Sequence, residues 1–241
     1  MPTKQIFFLS GFIAIAFAAC NNENHESSPT ADKVISGDSA TKTVSVKEEA
    51  VTYTTNGKTM KSYVAYDEAK TGTRPIVLVV PEWWGLTEYP RMRAKMLAQM
   101  GYFAMAVDMY GEGKLAEDPG SAGTEATPFY KNPQLGKERL DAALAKAKTF
   151  TQADTTQTIA IGYCFGGTMA LNYAKLGAPV AGVVSFHGNL QGVQPRKGTK
   201  AQFLICHGAA DGFVPKPEID AFKKSMDSAG LSYDFKVYEA S

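Results

Sequence analysis

The hexapeptide Gly-Tyr-Cys-Phe-Gly-Gly at residues 162–167 places one cysteine between closely spaced glycines. The apolar run 158–161 precedes it, and a helix-like run follows from Thr168 to Leu176. Strand, G-x-C-x-G-G and helix form the pattern of a nucleophile elbow, a turn so tight that neighbouring side chains would clash. The residue at its apex can attack a carbonyl carbon, and the next N–H can stabilise the resulting oxyanion. The pattern predicts Cys164 as a nucleophile and the backbone of Phe165 as an oxyanion donor.

The thiol of Cys164 needs help to act as a nucleophile. A free cysteine has a pKa of about 8.5 and is mostly protonated at neutral pH, so a base or a positive field must assist it. A buried structural cysteine is the alternative interpretation. Glycines at positions −2, +2 and +3 favour the nucleophile, because a structural cysteine would not require them.

Other candidate groups follow predicted strands, where ligands of such sheets bind. Glu82 stands beside two tryptophans, Trp83 and Trp84, where a carboxylate is costly without a partner. A plain loop carboxylate is the alternative. His187 could line a pocket together with Trp84, or it could be a structural histidine. His207 precedes Asp211 by four residues, and we expect it to support that loop.

Strand-like and helix-like runs alternate along the chain, which predicts an α/β fold with a mostly parallel sheet and helices on both faces. Asn56-Gly57, between two β-rich runs, predicts an N-terminal β-hairpin. The polar, glycine-rich residues 111–133 predict a loop that could act as a cap. The predicted helices are Pro90–Met100, with its methionines on one apolar face, Gln134–Phe150, Thr168–Leu176 and Pro217–Ala229. The later predicted strands are Ile76–Val80, Tyr102–Val107, Thr158–Ile161, Val180–Phe186, Gln202–Cys206 and Tyr233–Tyr238.

Four stretches together resemble the dienelactone hydrolase family of α/β-hydrolases. They are VVPEWWG at 79–85, AVDMYG at 106–111, the Cys164 elbow, and HGAADGFVP at 207–215. The resemblance implies hydrolysis of a small ester or lactone through an acyl-cysteine, without a metal or an organic cofactor. It implies that Asp211 is the triad acid, that Glu82 pairs with the thiol, and that the Trp83 N–H joins Phe165 in the oxyanion hole. Asp108 and Tyr110 are expected to be loop scaffolding.

The resemblance has one departure, which concerns the histidine of the triad. Family members carry it about 30 residues after the acid, which corresponds to a position just beyond Ser241. We therefore expect a C-terminally incomplete hydrolase domain over 44–241, with little or no turnover. The alternatives are a catalytically inactive, surface-tethered relative that acts in binding, and a redox role for the Cys164 thiol.

The N-terminus predicts export. Residues 1–20 combine Lys4 with an apolar stretch that is too short to span a membrane, and they end in Ala-Ala-Cys, as in a bacterial lipobox. We expect Cys20 to be lipidated, so that the protein is held in the bacterial cell envelope, on the periplasmic side or at the surface. Cleavage after Ala18 is the alternative. Residues 21–43 are polar and aperiodic, which predicts a disordered tether.

Composition excludes several classes of function. The formal net charge of +1 and the lack of a Lys/Arg cluster argue against nucleic acid binding. Three cysteines form no disulfide framework, and neither C-x-x-C nor zinc-ligand spacing occurs. The 241 residues fit a single α/β domain, which we expect to be a monomer.

Overall fold

The computed structural model describes residues 44–239, which form one eight-stranded sheet with five helices. The strand order across the sheet is β1-β2-β4-β3-β5-β6-β7-β8. The strands are β1 (Val46–Thr55), β2 (Lys58–Asp67), β3 (Arg74–Val80), β4 (Phe103–Ala106), β5 (Ala153–Tyr163), β6 (Gly182–Phe186), β7 (Gln202–Gly208) and β8 (Tyr233–Tyr238). The helices are α1 (Glu88–Gln99), α2 (Pro119–Lys131), α3 (Pro133–Ala147), α4 (Phe165–Lys175) and α5 (Lys216–Ala229).

The sheet is parallel from β4 through β8, and only its first two strands run antiparallel to their neighbours. The hairpin turns at Asn56 and Gly57, whose φ angles are 50° and 70°. Asparagine and glycine tolerate positive φ better than other residues, so this dipeptide fixes the turn and the β1–β2 register. The predicted hairpin and the predicted α/β fold are confirmed.

Residues 76–80 of β3 and all of β4 are apolar, because helices cover both faces of the sheet there. Alternate side chains of β3 point to opposite sides, so that Val77 and Val79 pack with Ala94 and Ala98 of α1. On the other face, Ile76, Leu78 and Val80 join a larger core that includes side chains of α3, α4 and α5. The carboxyl ends of the parallel strands therefore form one edge, at which loops can meet.

The prediction of a methionine-lined apolar face for α1 was wrong. Met92, Met96 and Met100 are exposed, and the buried positions of this helix are Pro90, Ala94 and Ala98. Small residues let the helix axis approach the sheet closely, and the longer methionine side chains then lie on the outer surface. Leu97 packs partly against the core.

The predicted loop over residues 111–133 was also wrong, because α2 lies within it. Asp118 caps this helix by accepting hydrogen bonds from the N–H groups of Gly120 and Ser121, at 2.7 and 3.0 Å. The Ser121 hydroxyl bonds back to the Asp118 N–H at 3.1 Å, which completes a capping box. The prediction missed this helix because it contains two glycines and an internal proline, Pro128, which are unfavourable in helices.

The predicted signal segment, Cys20 and the tether lie outside the described residues. Within residues 44–239, no helix is long and apolar enough to cross a membrane. β6 lies between β5, which ends just before Cys164, and β7, which carries Cys206, so these two strands are not neighbours in the sheet.

Candidate active site

Cys164 occupies a strained turn between β5 and α4. Its φ and ψ angles are 53° and −119°, a conformation that non-glycine residues rarely adopt. A Cβ atom on Gly162 would overlap the backbone of Gly166, and a Cβ on Gly166 would overlap the backbone of Val80. A Cβ on Gly167 would lie 2.6 Å from Ser185 Oγ. The glycines on both sides of the cysteine are therefore required by close contacts, as the sequence predicted.

Hydrogen bonds hold the strained residue in place. The Cys164 N–H donates to the Phe186 carbonyl at 2.9 Å, and its carbonyl accepts from Thr168 N–H at 3.2 Å. Burial raises the pKa of the Cys164 thiol, and the carboxylates of Glu82 and Asp211 raise it further, against a hydrogen bond from the Phe165 N–H that lowers it. The resting sulfur is therefore a thiol, with a backbone donor of α4 aimed at it.

Glu82 follows β3 at the same edge of the sheet. Its carbonyl accepts from Gly85 N–H at 3.2 Å, which closes the turn after the strand. Burial raises the pKa of the Glu82 carboxyl, and the nearby His187 partly offsets this effect. No hydrogen bond to this carboxylate comes from another residue in the range 44–239, so it remains available as a proton acceptor, and its charge acts on the thiol of Cys164.

Trp83 presents a backbone donor at the site. Its N–H has no acceptor among residues 44–239, whereas its carbonyl accepts from the Tyr110 hydroxyl at 2.8 Å. The Trp84 indole packs edge-on against Trp83, with ring centroids 5.3 Å apart, and the Trp84 carbonyl accepts from Ala116 N–H at 3.0 Å. Both tryptophans are thus fixed by the segment that leads into α2.

Asp108 has the scaffolding role that the sequence predicted. Its carboxylate accepts hydrogen bonds from the N–H groups of Tyr110 and Gly111, at 3.1 and 2.8 Å. It also accepts from Lys61 N–H and Gly113 N–H, both at 2.9 Å. These bonds tie the loop after β4 to the hairpin and so place the Tyr110 hydroxyl against Trp83.

His187 and Asp211 are brought together although 24 positions separate them. His187 Nδ1 lies 2.6 Å from Asp211 Oδ2. His187 follows β6, whose Phe186 pairs with Tyr163 of β5, so its backbone lies beside that of Cys164. Its φ of 55° shows that it too occupies a strained turn. The sequence predicted His187 only as a pocket residue and did not predict this pair.

The Asp211 carboxylate is 5% exposed and fully engaged. Its Oδ1 accepts from Phe213 N–H at 2.9 Å, and His207 Nδ1 lies 3.9 Å from Oδ2. Burial alone would raise the pKa of Asp211, but the Phe213 N–H and the two histidines outweigh it and hold the pKa below its usual value. His207 is buried against the Phe235 ring, which fits the predicted supporting role.

Two aromatic residues at the site were not predicted as part of it. Tyr130 of α2 packs edge-on against Phe165, with ring centroids 5.7 Å apart. Burial, and after it the neighbouring Cys164, raises the pKa of Tyr130 to about 12, so its phenol stays protonated. Phe213, although 84% exposed, packs edge-on against His187 at 6.2 Å. The Asp118–Ser121 capping box was the signal that could have located Tyr130 on a helix.

The arrangement combines a thiol, a carboxylate beside it, two backbone donors and an imidazole held by a second carboxylate. Within residues 44–239 no group of three or more His, Cys, Asp or Glu side chains is placed to hold a metal ion. With Nδ1 bonded to Asp211, the neutral His187 ring has its lone pair on Nε2 and can accept a proton there. Such a set can carry out acyl transfer to the thiol and then to water.

Comparison with known proteins places these residues in a described family. Residues 60–241 match the model of the dienelactone hydrolase family. A Methylorubrum extorquens protein named "Putative carboxymethylenebutenolidase" is 32% identical over 183 residues, which cover 70% of this chain and 62% of that protein. "Protein usf" of Aquifex pyrophilus is 29% identical over 200 residues, which cover 79% of this chain and 83% of that protein. The chain thus spans less than two thirds of the length of the first of these relatives.

A solved structure shows the same fold. A dienelactone hydrolase-like promiscuous phosphotriesterase from metagenomic libraries superposes with a TM-score of 0.75 and 29% identity, covering 81% of this chain and 82% of that one. The fold around Cys164 is therefore shared with a protein of solved structure.

Proposed function

Because this chain belongs to the dienelactone hydrolase family, we propose that it hydrolyses small carboxylic esters or lactones with Cys164 as the nucleophile. The observation that carries the proposal is the strained Cys164 turn, with the Phe165 N–H on the sulfur. Strain at a single non-glycine residue is costly, on the order of 1–3 kcal/mol, and it persists where function requires the geometry. A structural cysteine would have no need of it.

In the first step the Cys164 sulfur attacks the substrate carbonyl. Glu82 accepts the thiol proton, since it is the acidic group whose charge acts on the sulfur and whose oxygens are not already bonded. The N–H groups of Phe165 and Trp83 hold the oxyanion. When the tetrahedral intermediate collapses, the C–O bond breaks, the proton passes to the leaving alkoxide, and a thioester remains on Cys164.

In the second step water attacks the thioester. His187 is the histidine that the described chain offers for this step, because Asp211 fixes its tautomer and orientation. Its Nε2 takes a proton from the attacking water. The C–S bond then breaks, the acid leaves, and the proton returns to Cys164. This use of His187 opposes our sequence-based expectation of little or no turnover.

The aromatic residues close to the elbow favour a small substrate with an apolar acyl group. Tyr130 packs edge-on against Phe165, the residue after Cys164, and Trp84 packs edge-on against Trp83, so aromatic rings flank both proposed oxyanion donors. The names of two similar proteins, "Putative carboxymethylenebutenolidase" and the phosphotriesterase, describe reactions at ester-type bonds. These names support the choice of reaction class.

The decisive experiment follows release of the alcohol from a chromogenic ester such as 4-nitrophenyl acetate. The proposal expects steady turnover by the wild type and none by Cys164→Ser, together with a mass increase of one acyl group trapped on Cys164. The binding-only alternative expects no alcohol release beyond one equivalent. A redox role would instead give sulfenic acid at Cys164 after mild peroxide, without ester turnover.

We also propose that the protein is exported and held in the cell envelope by a lipid on Cys20. The support comes from the sequence: an apolar stretch of signal-peptide length ends in Ala-Ala-Cys, followed by a polar segment up to residue 43. A tether of about 20 residues would keep the active site clear of the bilayer.

A further inference from the structure

A pocket lies at the opposite end of α4 from Cys164. It is open to solvent on one side, has a volume of about 490 Å³, and is lined by the end of α4, by α5 and by residues 190–194. Lys175, at this pocket, lies eleven positions after the nucleophile Cys164, which corresponds to roughly 16 Å along the helix axis. The volume is within the range of small-molecule sites, about 300–1,000 Å³. The proposed hydrolase reaction does not use this pocket.

Lys175 lines the pocket, and few hydrogen-bond partners surround its ammonium group. Lys175 is 3% exposed, and its Nζ donates to the Leu190 carbonyl at the long distance of 3.4 Å. Nζ also lies 4.8 Å from the centroid of the Phe222 ring. An ammonium carries three donors, so hydrogen-bonding capacity is left over. Desolvation lowers the pKa of Lys175 to about 8, against the charge of Glu218, which raises it.

The Glu218 carboxylate does not satisfy those remaining donors. Its Oε1 accepts from the N–H groups of Leu190 and Gln191, at 2.6 and 3.1 Å, and its Oε2 accepts from Gln191 Nε2 at 2.8 Å. Among residues 44–239, no carboxylate oxygen lies within 4 Å of Lys175 Nζ. Glu218 therefore fixes the loop that forms the pocket wall, and the lysine is left without an ion-pair partner.

The walls of the pocket combine an apolar surface with a few polar groups. The apolar part comes from Val193, Pro217, Ala221 and Phe222. At the rim, Gln194 Oε1 accepts from the Ser225 hydroxyl at 2.7 Å, which orients the side chain and leaves its Nε2 as a donor. A cation with spare donors, an amide donor and apolar walls are the features that recognise an organic carboxylate.

We propose that this pocket binds a small organic monocarboxylate, with its oxygens on Lys175 Nζ and its apolar body against Phe222 and Pro217. A single negative charge fits better than a phosphate, because Glu218 lies nearby and most of the wall is apolar. The proposal does not depend on the hydrolase reaction, since none of its residues belongs to the Cys164 site.

The test is titration of the protein with benzoate, followed by amide shifts in NMR spectra and by calorimetry. The expected result is a set of shifts in residues 190–194 and 217–225, and a Kd that rises at least tenfold in Lys175→Met. Benzamide, which has the same ring without the charge, and inorganic phosphate, which has the charge without the ring, should each bind at least tenfold more weakly than benzoate.

A variant at the rim of the pocket tests the proposal even if the buried substitution Lys175→Met prevents folding. Gln194 is exposed, so Gln194→Glu adds a repelling charge at the rim without disturbing the core, and it should weaken benzoate binding at least fivefold. Gln99→Glu makes the same change on α1, across the sheet, and should leave the Kd unchanged. Equal binding of benzoate and benzamide, equal binding of phosphate, shifts confined to the surroundings of Cys164, or a Gln194→Glu Kd equal to that of Gln99→Glu would each overturn the proposal.

Discussion

His187 Nδ1 lies 2.6 Å from Asp211 Oδ2, although the two residues follow different strands of the sheet. Parallel strands β6 and β7 are neighbours, and their carboxyl ends bring the two loops to one edge. The bond leaves Nε2 as the basic nitrogen of a neutral ring. The proposed mechanism therefore assigns acylation to Glu82 and deacylation to His187, and this assignment can be tested.

We predict that His187→Gln slows deacylation much more than acylation. General base catalysis is worth about 10²–10⁴-fold in rate, so steady turnover should fall by that factor. A burst of one equivalent of alcohol should remain, because Cys164, Glu82 and the oxyanion donors are unchanged. Stopped-flow measurement of alcohol release with a chromogenic ester separates the two phases.

His207→Gln is the matched control for this prediction. His207 lies 3.9 Å from the same Asp211 oxygen. It is buried, and its ring contact is with Phe235, which is not a residue of the Cys164 site. Its replacement should lower stability and leave the ratio of burst to steady rate unchanged. If His187→Gln and His207→Gln gave the same ratio as the wild type, His187 would not be the base.

The sequence predicted the fold well because its signals were local. A continuous aliphatic run identifies a buried strand, Asn56-Gly57 identifies a hairpin, and the glycines around Cys164 identify a strained turn. It failed at α1, where it assigned the methionines to the inner face. Methionine is apolar, but Ala94 and Ala98 fit the narrow space against β3, and only tertiary packing decides between them.

The sequence named candidate site residues one by one, but it did not predict how they are arranged. Cys164, Glu82 and Asp211 could be named because each follows a strand in a recognisable stretch. The His187–Asp211 bond could not be predicted, because it depends on the φ of 55° at His187 and on which loops meet across β6 and β7. Neither property has a signature in a single sequence.

The space around two glycines predicts opposite effects of alanine substitution on the stability of the fold. Gly166→Ala should destabilise the protein by about 1–3 kcal/mol or more, because its Cβ would overlap the Val80 backbone. Gly123 lies in α2, and a Cβ added there would meet no atom within 4 Å, so Gly123→Ala should stabilise the protein by about 0.5–1 kcal/mol. Urea unfolding of both variants measures the difference. Destabilisation by Gly123→Ala would argue against a helix at residues 119–131.

The pKa of Asp211 predicts a stability change in acid. Because the folded pKa is held below its usual value, the carboxylate contributes stability above the unfolded pKa of about 3.9. This contribution is lost as the pH falls through the folded pKa. Asp211→Asn should therefore be less stable than the wild type at pH 6, and the difference should shrink toward pH 3. Urea midpoints at several pH values test this, and a gap that stays constant with pH would contradict it.

Export and tethering predict a membrane-bound mature protein. Cys20→Ala should move it from the membrane fraction to the soluble fraction, because the acyl chains supply the hydrophobic anchor. The control is Cys206→Ala, which removes a thiol inside the folded domain and should leave the distribution unchanged. Full membrane association of Cys20→Ala after high-salt washing would contradict the lipid anchor.

Glu82 is predicted to control the thiol in two opposite ways. Its charge disfavours the thiolate and so contributes to the raised pKa of Cys164, after burial. Glu82→Gln removes that charge, so the pH profile of Cys164 alkylation by iodoacetamide should shift to lower pH. The same variant loses the proton acceptor, so acylation by an ester should become slower at neutral pH even though the thiolate is more abundant.

The control is Glu88→Gln, which replaces an exposed carboxylate at the start of α1 and should change neither property. An alkylation profile that does not move in Glu82→Gln would place this carboxylate too far from the sulfur to act on it.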